Sequence, residues 1–109
     1  MDLKNTIEKT VLKSSKNKIF EICDLKIDNE NFGNIFLLIE ANGKIQVKFI
    51  KDRGDCWCEL GNFKQWVFIE NIFNRIKIDE EFKKKDFISL ITRVLYLIDK
   101  NFDRIVMSF

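Results

Sequence analysis

IFLLIEANGKIQVKFIKDRGDCWCELG, the stretch from Ile35 to Gly61, decides the fold. Apolar residues alternate with polar ones on both sides of Asn42-Gly43, and Asp52-Arg53-Gly54-Asp55 separates the second run from the third. Asn-Gly between alternating runs is the strongest short hairpin signal, because both residues tolerate the positive φ angles of a type I′ turn. Three antiparallel strands in a meander are therefore expected. A two-residue turn at Asn42-Gly43 pairs Ala41 with Lys44, Glu40 with Ile45, Leu38 with Val47 and Phe36 with Phe49. A turn at Arg53-Gly54 pairs Phe49 with Cys58, Val47 with Leu60, Ile50 with Trp57 and Lys48 with Glu59. Directly opposed residues share a face. One face then carries Phe36, Leu38, Ile45, Val47, Phe49, Cys58 and Leu60; the other carries Ile35, Leu37, Ile39, Gln46, Lys48, Ile50, Trp57 and Glu59.

Outward from the meander the periodicity becomes helical. Leu3, Ile7 and Val11 recur every four residues, which predicts a helix over about 2–15 with Asp2 as its N-cap. Lys18 to Ile27 reads as extended, followed by a polar loop at Asp28-Asn29-Glu30-Asn31. After Gly61, Trp66, Ile69, Phe73 and Ile76 suggest a helix near 65–76. Phe87, Leu90, Ile91, Val94, Ile98 and Phe102 mark a longer one near 80–103, with Asp79 as its cap. Glu80–Lys84 and Glu81–Lys85 are favourable i,i+4 pairs on it. The apolar tail Ile105-Val106-Met107-Ser108-Phe109 is expected to dock. The fold expected is α+β: a twisted antiparallel sheet of about four strands packed against these three helices, in one domain spanning 1–109.

Composition agrees with a compact domain. The 109 residues are 46% hydrophobic and 33% charged, with eleven Phe and no Pro, which is globular rather than disordered. A net charge of +2 is too mild to imply nucleic acid. No uncharged run approaches the roughly 18 residues of a membrane span, and Met1-Asp2-Leu3-Lys4 lacks a signal peptide's apolar core. Three cysteines, Cys23, Cys56 and Cys58, form an odd set that favours reduced thiols in a cytoplasm.

The chemistry open to the chain is narrow. It contains no histidine, which removes the commonest general base and metal ligand. A Ser-His-Asp or Cys-His site is therefore impossible. Cys56-Trp57-Cys58 places two sulfurs on one strand face, but tetrahedral zinc needs two further ligands; buried packing is the simpler role, with Cys58 opposite Phe49. Arg53-Gly54-Asp55 fits a tight turn better than an adhesion motif. Asp52/Asp55 and Glu80/Glu81 suit a turn and a helix start, and no phosphate-cradling glycine pattern accompanies them. Lys83-Lys84-Lys85 reads as a solvated helix face. No catalytic residue, cofactor or metal is expected. Residues 19–43, however, hold Glu21, Asp24, Asp28, Glu30 and Glu40 against Lys26 alone, an acidic edge able to steer a basic partner.

The run from Val47 to Gly61, with Trp66 beyond it, resembles a pattern recurrent in small bacterial immunity proteins. These accompany polymorphic toxins, including those of contact-dependent growth inhibition. The pattern is an extended strand, an Asp-Arg-Gly turn (Asp52, Arg53, Gly54), a second strand, and a tryptophan opening a helix; it covers about residues 45–76. Asp55 stands where many members have a polar amide, and Val67-Phe68 where many have Tyr-Asp. The resemblance implies a cytoplasmic, non-enzymatic protein that binds a cognate toxin domain and blocks it. A small nucleic-acid-associated or regulatory domain is the alternative, and a histidine-free enzyme comes third.

A two-layer domain of this length covers one sheet face with its helices. The face holding Val47 and Phe49 is the more apolar and should be the covered one. That leaves Trp57, Ile50, Ile35 and Leu37, beside Lys48 and Glu59, as the expected partner surface, flanked by Glu21, Asp24, Asp28 and Glu30.

Overall fold

The computed structural model describes residues 2–28, 33–80, 82 and 86–109. The chain is α+β. Helix α1 (Leu3–Ser14) leads into strands β1 (Phe20–Asp28), β2 (Asn34–Ala41), β3 (Ile45–Asp52), β4 (Asp55–Gly61) and β5 (Trp66–Phe68), then helices α2 (Ile69–Arg75) and α3 (Phe87–Met107). The five strands form one antiparallel sheet in sequence order, with β1 and β5 at its edges. It has one strand more than the expected four, because Trp66–Phe68 pairs with Glu59–Gly61 instead of opening a helix.

Both tight turns take the left-handed backbone of a type I′ turn, which Asn42, Gly43 and Gly54 favour and which Arg53 adopts against its preference. Asn42 and Gly43 have φ of 50° and 67°, and Arg53 and Gly54 have 52° and 89°. The β3–β4 register is the expected one, with Phe49 opposite Cys58, Ile50 opposite Trp57 and Lys48 opposite Glu59. The β2–β3 register is not. The Ala41 carbonyl accepts the Lys44 N–H at 3.0 Å, closing the turn, but Ala41 then pairs with Ile45. Lys44 is an extra residue on one strand, as in a β-bulge. A slip of one residue turns a whole strand over. Ile35, Leu37, Ile39 and Ala41 thus enter the core, while Phe36, Leu38 and Glu40 face the other way. The expectation that Ile35 and Leu37 lie on the open face is corrected: they are 3% and 0% exposed.

All three helices contribute to one apolar cluster with that face of the sheet. Ile7 and Val11 of α1, Ile69, Ile72 and Phe73 of α2, and Leu90, Ile91, Val94 and Ile98 of α3 join Leu37, Val47, Phe49 and Leu60. The helix ends explain the remaining boundaries. Asp2 caps α1 by accepting the Lys4 N–H at 3.0 Å. The cap of α3 is Asp86 rather than Asp79, accepting the Ser89 N–H at 2.9 Å and its hydroxyl at 3.0 Å. These bonds hold the Asp86 carboxyl below its ordinary range. Glu80 reaches Arg93 at 2.8 Å. The pairs Glu80–Lys84 and Glu81–Lys85 lie outside the described residues, as does Glu30. The tail is the last turn of α3: Ile105 is buried, Val106 and Phe109 pack on the core, and Met107 is exposed.

Two local devices position the sheet. Asp99 of α3 accepts the N–H groups of Asn17 (3.1 Å) and Lys18 (2.8 Å) and the Asn17 amide (3.0 Å), pinning the α1–β1 connection. In β1 the pairing with β2 shifts between Ile22 and Asp24, so Cys23 forms a bulge at the sheet edge.

The register makes a sharp prediction. Leu37→Ala should lower stability by about 2–5 kcal/mol, the cost of a core cavity; Leu38→Ala, on the open face, should cost less than about 1 kcal/mol. Urea unfolding of the two variants decides between registers, since the reverse order is what a bulge-free turn requires. Gly43→Val, which forces a β-branched residue to positive φ, should cost about 1–3 kcal/mol in the same measurement.

Candidate binding surface on the open sheet face

Period-two alternation places Trp57 and Glu59 of β4, Gln46, Lys48 and Ile50 of β3, and Phe36, Leu38 and Glu40 of β2 on the face opposite the helices. All of these side chains are half-buried by one another. On β5, Phe68 stands beside Glu59 and Trp66 beside Gly61.

A connected network organises the centre of this face. The Trp57 indole Nε1–H donates to Glu59 Oε2 at 3.1 Å. Glu59 Oε1 lies 3.6 Å from Lys48 Nζ, and both side chains are 19% exposed. Lys48 Nζ in turn sits 4.1 Å from the Trp66 ring centroid, a cation–π distance. Partial burial makes this pair stronger than a fully solvated one. The network fixes two indoles at set positions, so little rotamer freedom is left for them to lose on further burial.

Gly61 makes the Trp66 position possible. A Cβ there would stand 2.9 Å from Trp66 Cε3, closer than side chains pack. The indole therefore lies flat on the β4 backbone. Trp66 and Phe68 remain 39% and 53% exposed. Toward the other edge, a depression of about 210 Å3 lies between Lys26, Phe36, Ile50 and Asp52, with Lys26 Nζ 5.8 Å from the Phe36 ring.

The structure thus brings together Trp57, Ile50, Lys48 and Glu59, and sets Glu21 and Asp24 on the same face at its β1 edge, with Asp28 at the end of that strand. It removes Ile35 and Leu37 from it. Phe36, Leu38, Trp66 and Phe68 belong to the face and were missed by sequence reasoning. The signal for Trp66 was Gly61, whose missing side chain leaves room for a cross-strand aromatic ring.

The cysteines lie in three different environments. Cys58 is buried opposite Phe49, and burial pushes its thiol well above the ordinary value. Burial also raises Cys56. Cys23 is exposed, and desolvation followed by the Glu40 charge raises its thiol too. Among the described residues, no group of three or more His, Cys, Asp or Glu side chains is placed to hold a metal ion. A groove of about 380 Å3 separates α1 from α3, lined by Thr10, Lys13, Ser14, Thr92, Tyr96 and Asp99 among others. The Thr10, Ser14 and Thr92 hydroxyls donate to carbonyls one turn back within their own helices. Among the described residues, no helix is long and apolar enough to cross a membrane.

No protein-family model matches the chain, and neither a curated protein nor a solved structure matches it at a significant level.

Raised thiol pKa values mean less thiolate at neutral pH and slow alkylation. At pH 7.5, iodoacetamide should modify Cys23 first and slowly, with a rate that climbs beyond pH 9, and should reach Cys58 only on unfolding. Mass spectrometry of native protein showing Cys58 labelled as fast as Cys23 would place β4 wrongly.

Proposed function

We propose that this chain is a non-enzymatic protein-binding domain: a cytoplasmic immunity protein that docks a cognate bacterial toxin domain on its open sheet face. The observation that carries the reading is the half-exposed cluster of Trp57, Trp66, Phe68 and Ile50 around the Lys48–Glu59 pair. Clustered aromatics rimmed by charge mark interfaces rather than ordinary surface, and tryptophan is prominent among interface anchors. The resemblance of the run from Val47 to Gly61 to immunity proteins supports the same reading, although Trp66 begins strand β5 rather than a helix. So does the lack of histidine, which leaves few routes to catalysis. A nucleic-acid role has less support. The α1–α3 groove is its best location, since Lys13 and Lys16 line it, yet Asp99 lines it too and the Thr10, Ser14 and Thr92 hydroxyl hydrogens are committed to backbone carbonyls, which suits a phosphate poorly.

The test begins with the reading frame next to this gene in its native genome. Its C-terminal domain should arrest growth when produced alone and lose that effect when this chain is co-produced. Purified, the two should form a stoichiometric complex. Trp57→Ala should weaken the complex by about 2 kcal/mol, roughly 30-fold in Kd, without changing the far-UV spectrum. A neighbouring domain that is harmless, or that does not bind, overturns the immunity reading; unchanged affinity in Trp57→Ala moves the interface off this face.

A further inference from the structure

We propose that one end of this molecule docks peripherally on an anionic phospholipid surface, with lysines from three neighbouring strand connections around the exposed apolar side chains of Ile19 and Phe63. The contact is made by the ends of the strands and is separate from the open face proposed for the toxin.

Sheet pairing gathers the three connections. Asn42 bonds both the N–H and the carbonyl of Ile19, which joins the first turn of the meander to the start of β1. Gln46 pairs with Gly61, and Gly61 with Trp66, so the turn at 62–65 stands beside the turn at Asn42-Gly43. Residues 15–19, 42–44 and 62–65 together hold Lys16, Lys18, Lys44 and Lys64 and no acidic residue. The helical layer continues the charge. Lys18 shares a depression with Lys100 and Arg104 of α3, which Asp99 and Asp103 also line. Arg104 shares a second, of about 430 Å3, with Arg75, Lys77 and Met107, and no carboxylate lines it. The opposite end, where β1 and β3 finish and β4 begins, collects Asp28, Asp52 and Asp55 against Arg53. A net charge of +2 therefore hides a molecule polarised along its strands.

Charge alone suits any polyanion; the apolar side chains select lipid. Ile19 is 62% exposed, Phe63 53% and Met107 84%, each among these cations. Such groups gain by entering the boundary between headgroups and acyl chains while lysines meet the phosphates. An aliphatic tip neither bonds a base edge nor stacks on a base as an aromatic ring does, which sets nucleic acid second. Phe63 also occupies backbone that phenylalanine seldom adopts, with φ of 71°. The Asn62 side-chain oxygen steadies that turn by accepting the N–H groups of Lys64 at 3.1 Å and Gln65 at 3.0 Å. The ring lies outside the core cluster, so folding alone would be served better by asparagine at this position.

The test is co-sedimentation of the full chain with vesicles of phosphatidylcholine containing about 30% phosphatidylserine, with pure phosphatidylcholine vesicles and a DNA duplex in parallel. Partitioning should be at least about tenfold stronger on the anionic vesicles and should collapse in about 0.5 M salt. Lys44→Glu/Lys64→Glu should weaken it at least about tenfold, because each lysine at an anionic leaflet contributes about fivefold. Lys4→Glu/Lys26→Glu, with the same net charge but at the start of α1 and the far half of β1, should change it less than about threefold. Phe63→Asn should weaken it at least about threefold while keeping or raising the thermal midpoint, which separates loss of contact from loss of fold. Trp57→Ala should partition as wild type does. Binding that ignores lipid charge, an equal loss in Lys4→Glu/Lys26→Glu, a loss in Trp57→Ala, or tighter binding to the duplex than to the vesicles would overturn the proposal. Each of these outcomes leaves the toxin pairing untouched, so the two readings fail separately.

Discussion

The hairpin at Asn42-Gly43 uses one residue more than a type I′ connection needs, and that residue governs the molecule. Because side chains alternate with period two, Lys44 decides which half of β2 enters the core. With the extra residue, Ile35, Leu37, Ile39 and Ala41 join Val47, Phe49 and Leu60 beneath the helices. Without it, Phe36, Leu38 and Glu40 would be driven inward, and a carboxylate would be buried with no partner, which is far costlier than a bulge. Asn42 gains a compensating role at this point. Its N–H donates to the Ile19 carbonyl at 3.0 Å and its side-chain oxygen accepts the Ile19 N–H at 2.8 Å, so the turn also ties down the start of β1.

The same alternation creates the surface. Once the isoleucines of β2 are committed to the core, Phe36 and Leu38 extend the apolar area around Ile50 and Trp57. The Trp57–Glu59–Lys48–Trp66 chain then holds the aromatic groups in place. Each link satisfies a polar group that would otherwise compete for water beneath a partner. Rigidity on this side comes from the sheet rather than from a helix.

Much of this was legible in the sequence, and the failures have physical causes. The turns at Asn42-Gly43 and Arg53-Gly54 were readable from their glycines, with Asn42 adding a second residue that tolerates positive φ; Arg53, at φ 52°, gave no such signal of its own. The β3–β4 register followed because that connection has two residues between Asp52 and Asp55. The β2–β3 register did not follow: Ile35 to Ile39 is apolar on both faces, so neither register exposed an obvious error. The helix expected at 65–76 failed at its start because Trp66, Val67 and Phe68 are good strand formers whose spacing also fits a helix. Asp79 and Asp86 both precede acid- or apolar-rich turns, and only the Ser89 contacts distinguish the true cap. The site was half legible for the same reason. Trp57, Ile50, Lys48 and Glu59 lie on correctly paired strands, whereas Ile35 and Leu37 lie on the strand that turned over.

The bulge at Cys23 has a consequence for how the chain behaves in a crowded cell. Strand β1 is nine residues long and lies at the edge of the sheet, the kind of edge that templates pairing with another chain's strand. The shifted pairing between Ile22 and Asp24 breaks the even spacing of its outward amides and carbonyls, and Glu21, Asp24 and Lys26 place charges along it. Bulges and edge charges are common protections against uncontrolled strand addition. The irregularity in β1 thus leaves the chain with an aromatic face on one side of the sheet and no regular edge for strand addition beside it.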